Sequence, residues 1–200
     1  MVSLMQRRRE MMGKKEEPAI VPVYSLENHR TTAGELIDTG VYVLNENVSM
    51  TILFDYTYDA VPAAGQVGCI FRPFTVYNSN TSAAALWVGI YSRYDANYQC
   101  HWQGTRQALT GNNTTITKGG RQRIVVTHEA NSNTVYVYAR KDTGTRVNAS
   151  YTQTYTPTAD DQLTFAAGEN NNYSFPAGML TTAKVYDVVL PASQIDAFLA

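Results

Sequence analysis

Arg123-Ile124-Val125-Val126-Thr127-His128-Glu129-Ala130-Asn131-Ser132-Asn133-Thr134-Val135-Tyr136-Val137-Tyr138 is the stretch that decides the fold. Residues 123–128 and 134–138 are rich in β-branched and aromatic side chains, and neither run carries the 3.6-residue apolar spacing of a helix. The Asn/Ser segment between them is turn chemistry, so the whole reads as a β-hairpin. It is expected to lie centrally, with Val125, Val135 and Val137 contributing to a core through strand alternation.

The same pattern extends outward on both sides. Thr51 to Tyr58 is a second strand, expected to place Ile52 and Phe54 in that core. Comparable stretches are Ile20 to Tyr24, Leu36 to Leu44, Gly68 to Phe74, Ala84 to Tyr91, Tyr98 to Trp102, Val147 to Tyr155, Leu163 to Ala166 and Thr182 to Leu190. Turn-forming clusters separate them, among them Asp38-Thr39-Gly40, Pro62 to Gly65, Asn78-Ser79-Asn80, Gly111-Asn112-Asn113 and Gly168 to Asn172. About ten short strands at this spacing predict an antiparallel sandwich or barrel. One helix closes the chain: Pro191 suits a first helical position, and Ile195, Phe198 and Leu199 form one apolar face. That face is expected to cap one end or edge of the sandwich.

The chain has 200 residues, against about 100–200 for a typical domain, so one core is the default. Hydrophobic residues make up 44%, which excludes a disordered chain, and no apolar run approaches the ~18 residues of a membrane span. Sixteen basic and seventeen acidic residues leave a net charge of -1, without the basic excess that phosphate backbones demand. Neither nucleic acid nor a membrane is expected as a partner.

Eight of the 33 charged residues fall within the first seventeen. Residues 1–19 are therefore set apart as an N-terminal arm, and 20–200 as the domain. Arg7, Arg8 and Arg9 offer forked donors for carboxylates on a partner, and Met5, Met11 and Met12 offer adaptable apolar contacts. The arm is expected to dock this chain into a larger assembly. Met11, Met12 and Gly13 run straight into Lys14 and Lys15, leaving no apolar core of a secretory signal.

Catalytic and metal chemistry find little footing. Cys69 and Cys100 are spaced neither for zinc nor with His101, His29 and His128 in any metal-binding motif. Adjacent Cys100 and His101 would point to opposite faces of a strand, which defeats a Cys–His nucleophile pair. No GxxxxGK loop and no GxSxG elbow is present. Glu27, Glu35, Glu46, Glu129 and Glu169 form no alternating array able to pair an acid with a base about 5.5 Å away, so no glycosidase is expected.

The hairpin resembles the central one of concanavalin A-like and laminin-G-like jelly rolls. The order of Leu163-Thr164-Phe165-Ala166-Ala167-Gly168, Phe175-Pro176-Ala177-Gly178-Met179-Leu180 and Ala183-Lys184-Val185-Tyr186 to Ile195 resembles the family's close. With Asp38-Thr39-Gly40 and Ser49 to Asp55, the resemblance spans residues 36 to 199. Arg140 to Gly144 departs from the family's Asn-Gly turn and makes it longer. The resemblance implies an all-β antiparallel jelly-roll β-sandwich, with a short C-terminal helix and an N-terminal arm.

That fold hosts lectins, glucanases and assembly modules alike, so function has to come from sites. Sugars are held by aromatic platforms beside amides and carboxylates. Tyr91, Tyr94, Asp95, Asn97, Tyr98 and Trp102 form one such cluster, and Asn170, Asn171, Asn172 and Tyr173 a second. Trp87 and Trp102 suit a sandwich core equally well. No cofactor is expected; a loop calcium, which family members often carry, would fall to Asp95 with Asn97 or to Glu169 with Asn170. The arm and the Thr31 to Gly40 entry also resemble laminin-G-like virion proteins of tailed bacteriophages. The expectation is a non-catalytic bacteriophage structural or decoration protein that contacts glycans, made in the host cytoplasm and carried on the virion. The alternative is a carbohydrate-binding module of a secreted or surface bacterial protein, whose export signal lies outside this sequence.

Overall fold

The hairpin forms as two long strands, and the rest of the fold is arranged around it. A computed structural model describes residues 19–32, 35, 37–42, 48–59, 70–78, 84–91, 97–102, 105–108, 121–132, 134–152, 161–165 and 177–200. These contain β1 (Tyr24–Thr31), β2 (Ile37–Tyr42), β3 (Met50–Tyr58), β4 (Ile70–Asn78), β5 (Ala84–Tyr91), β6 (Asn97–Trp102) and β7 (Thr105–Ala108). They continue with β8 (Arg121–His128), β9 (Thr134–Lys141), β10 (Val147–Thr152), β11 (Asp161–Phe165), β12 (Gly178–Tyr186) and a helix, α1 (Ala192–Leu199). The strands make two six-stranded sheets, ordered β1-β12-β3-β8-β9-β10 and β2-β11-β4-β5-β6-β7.

In the hairpin, Val126 pairs with Val137 and Val125 with Tyr138. The turn closes through Ser132 N–H donating to Glu129 O at 3.0 Å. Asn131 takes the left-handed φ of 62° that the turn requires and that asparagine tolerates. His128, almost fully buried, has Nδ1 at 2.9 Å from Val48 O and Nε2 at 2.8 Å from Ser132 O, tying the turn to the segment entering β3. As expected from its departure from the family pattern, the turn after β9 is longer. Asp142 closes it with φ 47°, its N–H on Arg121 O and its Oδ1 accepting from Arg121 N–H.

The five expected core residues, Ile52, Phe54, Val125, Val135 and Val137, are all buried. Four of them share the inner face, where Phe165 of β11 stands 5.7 Å from Phe54 and 5.9 Å from Tyr24, ring to ring. These contacts close the second sheet on the first. Val125 belongs to a separate cluster on the outer face of the first sheet, with Leu53, Tyr186, Leu190, Ile195 and Leu199. The helix therefore covers a sheet face, not the end or edge that the sequence predicts. Leu53 and Val125 sit directly opposite each other and would expose apolar surface without it. Helix and sheet are further joined at the helix C-terminus. Arg140 Nη1 donates to Leu199 O and Ala200 O, both at 2.8 Å, and Arg123 Nη1 donates to Phe198 O at 3.5 Å. Burial and the neighbouring Arg121 and Arg140 push the Arg123 pKa down from its ordinary value.

Several boundaries differ from the sequence expectation. The first strand is not Ile20 to Tyr24 but Tyr24–Thr31, a mostly polar edge strand whose register follows β12. The last strand begins four residues early at Gly178 and stops at Tyr186. Asp38-Thr39-Gly40 is not a turn but an irregularity inside β2, where Gly40 has φ 64° and Thr39 Oγ1 donates to Leu163 O at 2.6 Å. β7 has no counterpart in the sequence expectation.

Candidate functional site

The register of the second sheet decides which residues it presents. Leu163 of β11 is buried, and its ladder partners run Val76, Leu86 and Trp102 across β4, β5 and β6. Directly paired residues share a face and successive residues alternate, so this row marks the core-side face. One position along, the row reads Thr164, Thr75, Trp87, His101 and Arg106, which alternation assigns to the other face of the sheet. Gly89 opposite Gln99, and Tyr91 opposite Asn97, continue that outer face along β5 and β6.

Trp87, His101 and Arg106 therefore occupy three successive strands in one row. At ~4.8 Å between strands the row spans roughly 10 Å, and Trp87 to Tyr91 along β5 covers roughly 14 Å. The patch has the footprint of one or two sugar rings. Gly89 lies between Trp87 and Tyr91 on the same face of β5. Among the described residues β7 is the edge of its sheet.

The residues expected to bind glycans are distributed differently by this ladder. Tyr98 and Trp102 lie on the face of Leu163, and Asn97 on the outer face. Tyr94, Asp95, Asn170, Asn171, Asn172, Tyr173 and Glu169 lie outside the described residues, as do Met5, Arg7, Arg8, Arg9, Met11 and Met12 of the arm. Trp87, Gln99, His101 and Arg106 were not grouped by sequence reasoning. Alternation along β5 and β6 would have grouped the first three, whereas Arg106 needs β7 to be recognised as a strand.

Other polar contacts hold the first sheet together. Asp55, 2% exposed, accepts from Arg121 Nε at 2.8 and 3.1 Å and from its Nη2, and this contact raises the Arg121 pKa. His29 and Glu35 meet at 2.5 Å, and the Thr32 N–H also donates to Glu35. That N–H first, and His29 second, lower the Glu35 pKa from its ordinary value. Among the described residues no three His, Cys, Asp or Glu side chains gather as for a metal ion, and no helix is long and apolar enough to cross a membrane.

No protein-family model and no curated protein sequence matches the chain. Solved structures do. The CBM40 module of a Ruminococcus gnavus IT-sialidase, bound to α2,6 sialyllactose, matches with a TM-score of 0.60 at 13% identity, covering 90% of this chain and 100% of that one. The fold is an antiparallel jelly-roll β-sandwich. A leech intramolecular trans-sialidase matches over 90% of this chain and 28% of its own, with a TM-score of 0.61 and 13% identity. A heptameric SAP-like pentraxin from Limulus polyphemus matches over 92% of this chain and 78% of that one, with a TM-score of 0.54 and 12% identity. The jelly roll read from the hairpin and the close of the chain is thus the fold, with carbohydrate-binding modules and a pentraxin as its neighbours.

Proposed function

We propose that the chain is a non-catalytic carbohydrate-binding module that takes an acidic, carboxylate-bearing sugar on the outer face of β5, β6 and β7. The observation that carries this is the cross-strand row Trp87, His101 and Arg106. An indole offers a flat platform for the apolar face of a sugar ring, an arginine pairs bidentately with a carboxylate, and an imidazole donates to a hydroxyl or carboxylate oxygen. Asn97 and Gln99 add amides on the same face. The structural neighbour that binds sialyllactose supports this class of ligand. Of the two functions expected from the sequence, the comparisons favour the carbohydrate-binding module over the bacteriophage virion protein.

A glycan array probed with the intact chain tests the reading. Acidic glycans such as α2,6- and α2,3-sialyllactose should be retained above their uncharged counterparts, and retention should fall in Arg106→Ala. Equal retention of charged and neutral glycans would reject the acidic-sugar assignment, and retention of none would reject the module.

A further inference from the structure

The first sheet carries an aromatic surface of its own, away from the row on β5 to β7. Tyr136 on β9 is 45% exposed, the one aromatic residue among the exposed large hydrophobics of the described residues. Its ladder partner on the edge strand β10 is Ser150, and Tyr138 is paired with Asn148; Asn148 and Ser150 are both exposed. All four residues share the outer face, beside the helix. At the helix end of the patch the Arg146 guanidinium lies 4.6 Å from the centre of the Tyr138 ring and is paired with Asp196.

A tyrosine ring open to solvent, with a hydroxyl directly across the strand pair and an amide at the diagonal position about 7–8 Å away, combines a stacking platform with hydrogen-bonding groups for sugar hydroxyls. Arg146 is paired with Asp196 at the border, and Arg140, further along the same face of β9, donates to the Gly144, Leu199 and Ala200 carbonyls, so both guanidinium groups are already engaged. Tyr138, held between the core cluster and Arg146, fixes β9 beneath the exposed ring. Among the described residues β10 is the edge of its sheet, so no further strand stands beside the patch there. We propose that Tyr136, Asn148 and Ser150 form a second saccharide site, on the opposite sheet from the first, that takes an uncharged hexose. The site stands on its own residues and does not require the acidic-sugar site.

Titration of the isotope-labelled full chain with lactose, followed by two-dimensional amide NMR, tests this. The Asn148 side-chain amide and the backbone amides of Tyr136 and Ser150 should shift together on one saturating curve, in the wild type and equally in Trp87→Ala. Tyr136→Ala should weaken that curve about five- to tenfold, the loss of one stacking contact, whereas Tyr136→Phe should retain it. Asn148→Ala, on the exposed edge strand, should weaken it as well and gives a second variant if Tyr136→Ala loses its fold. Absence of shifts at these three residues, or shifts undiminished in Tyr136→Ala and Asn148→Ala, would overturn the proposal.

Discussion

The Thr31 hydroxyl and the Tyr56 phenol lie 2.8 Å apart in the interior, joining the edge strand β1 to β3 across β12. Gly178 of β12 lies between them, and its carbonyl accepts from Thr31 Oγ1 at 3.3 Å. Burial pushes the Tyr56 pKa up to about 12, so the phenol remains protonated throughout the physiological range.

A methyl group at position 178 has no room. Its Cβ would fall 2.3 Å from Thr57 O and 2.4 Å from the Tyr56 hydroxyl, and one of those contacts is backbone. Gly178→Ala should therefore destabilise the fold by about 1–3 kcal/mol, the usual cost of overpacking. Tyr56→Phe should cost about 1 kcal/mol for the lost hydrogen bond. Urea denaturation with an unchanged m-value checks both, and a Gly178→Ala variant as stable as the wild type would contradict the packing.

Asp55 is buried and held by Arg121, whereas Arg121 itself is half exposed. Asp55→Ala should destabilise by about 2–3 kcal/mol, because the buried end of the pair is the one removed and the β3–β8 junction loses a two-pronged contact. Arg121→Ala leaves Asp55 without that contact and should cost a similar amount. Denaturation of both single variants and the double variant measures the coupling; additive losses would contradict it.

The helix is held by its apolar face and by two arginines at its negative end. Arg140→Ala should loosen α1 by about 1 kcal/mol, and Ile195→Ala should destabilise by about 2–4 kcal/mol by opening a cavity over Leu53 and Val125. Hydrogen exchange in α1 should accelerate in both, while the inner-face strands keep their protection in Arg140→Ala.

Acid should act through Glu35. Its carboxylate binds a proton less readily in the fold than in the open chain, so its contribution is present above the ordinary carboxylate pKa and is lost as the pH falls through the lowered one. Glu35→Gln should flatten that part of the stability profile. An unchanged acid limb in the variant would show that the Thr32 and His29 contacts contribute nothing.

Much of the fold was legible because local chemistry and global topology agree. Ile124-Val125-Val126 and Ile52-Leu53-Phe54 are continuous apolar runs, the mark of strands covered on both faces, and the two pair at the centre of their sheet. What they leave open is the cover, and the helix was accordingly expected at an edge. β1 escaped because Glu27, Asn28, His29 and Arg30 break alternation on an edge strand, and Asn28 has φ 54°. The site was less legible. Tyr98 and Trp102 stand out by residue type, but a face is assigned by register, and Thr105-Arg106-Gln107-Ala108 has no apolar pattern to announce a strand.

The proposal that the module is non-catalytic is also testable. Incubated with sialyllactose or with plant and bacterial polysaccharides, the protein should release no sugar. Hydrolysis that is lost on replacing a single Asp or Glu would contradict the non-catalytic reading.

Mapping where α2,6-sialyllactose touches the labelled protein, by amide shifts in the wild type, Trp87→Ala and Arg106→Ala, tests the saccharide site on β5, β6 and β7. Shifts should concentrate at Trp87, Gly89, Gln99, His101 and Arg106, with affinity lowered about tenfold or more in Trp87→Ala by loss of the aromatic contact. Shifts confined to the other sheet, or binding indifferent to both substitutions, would contradict it.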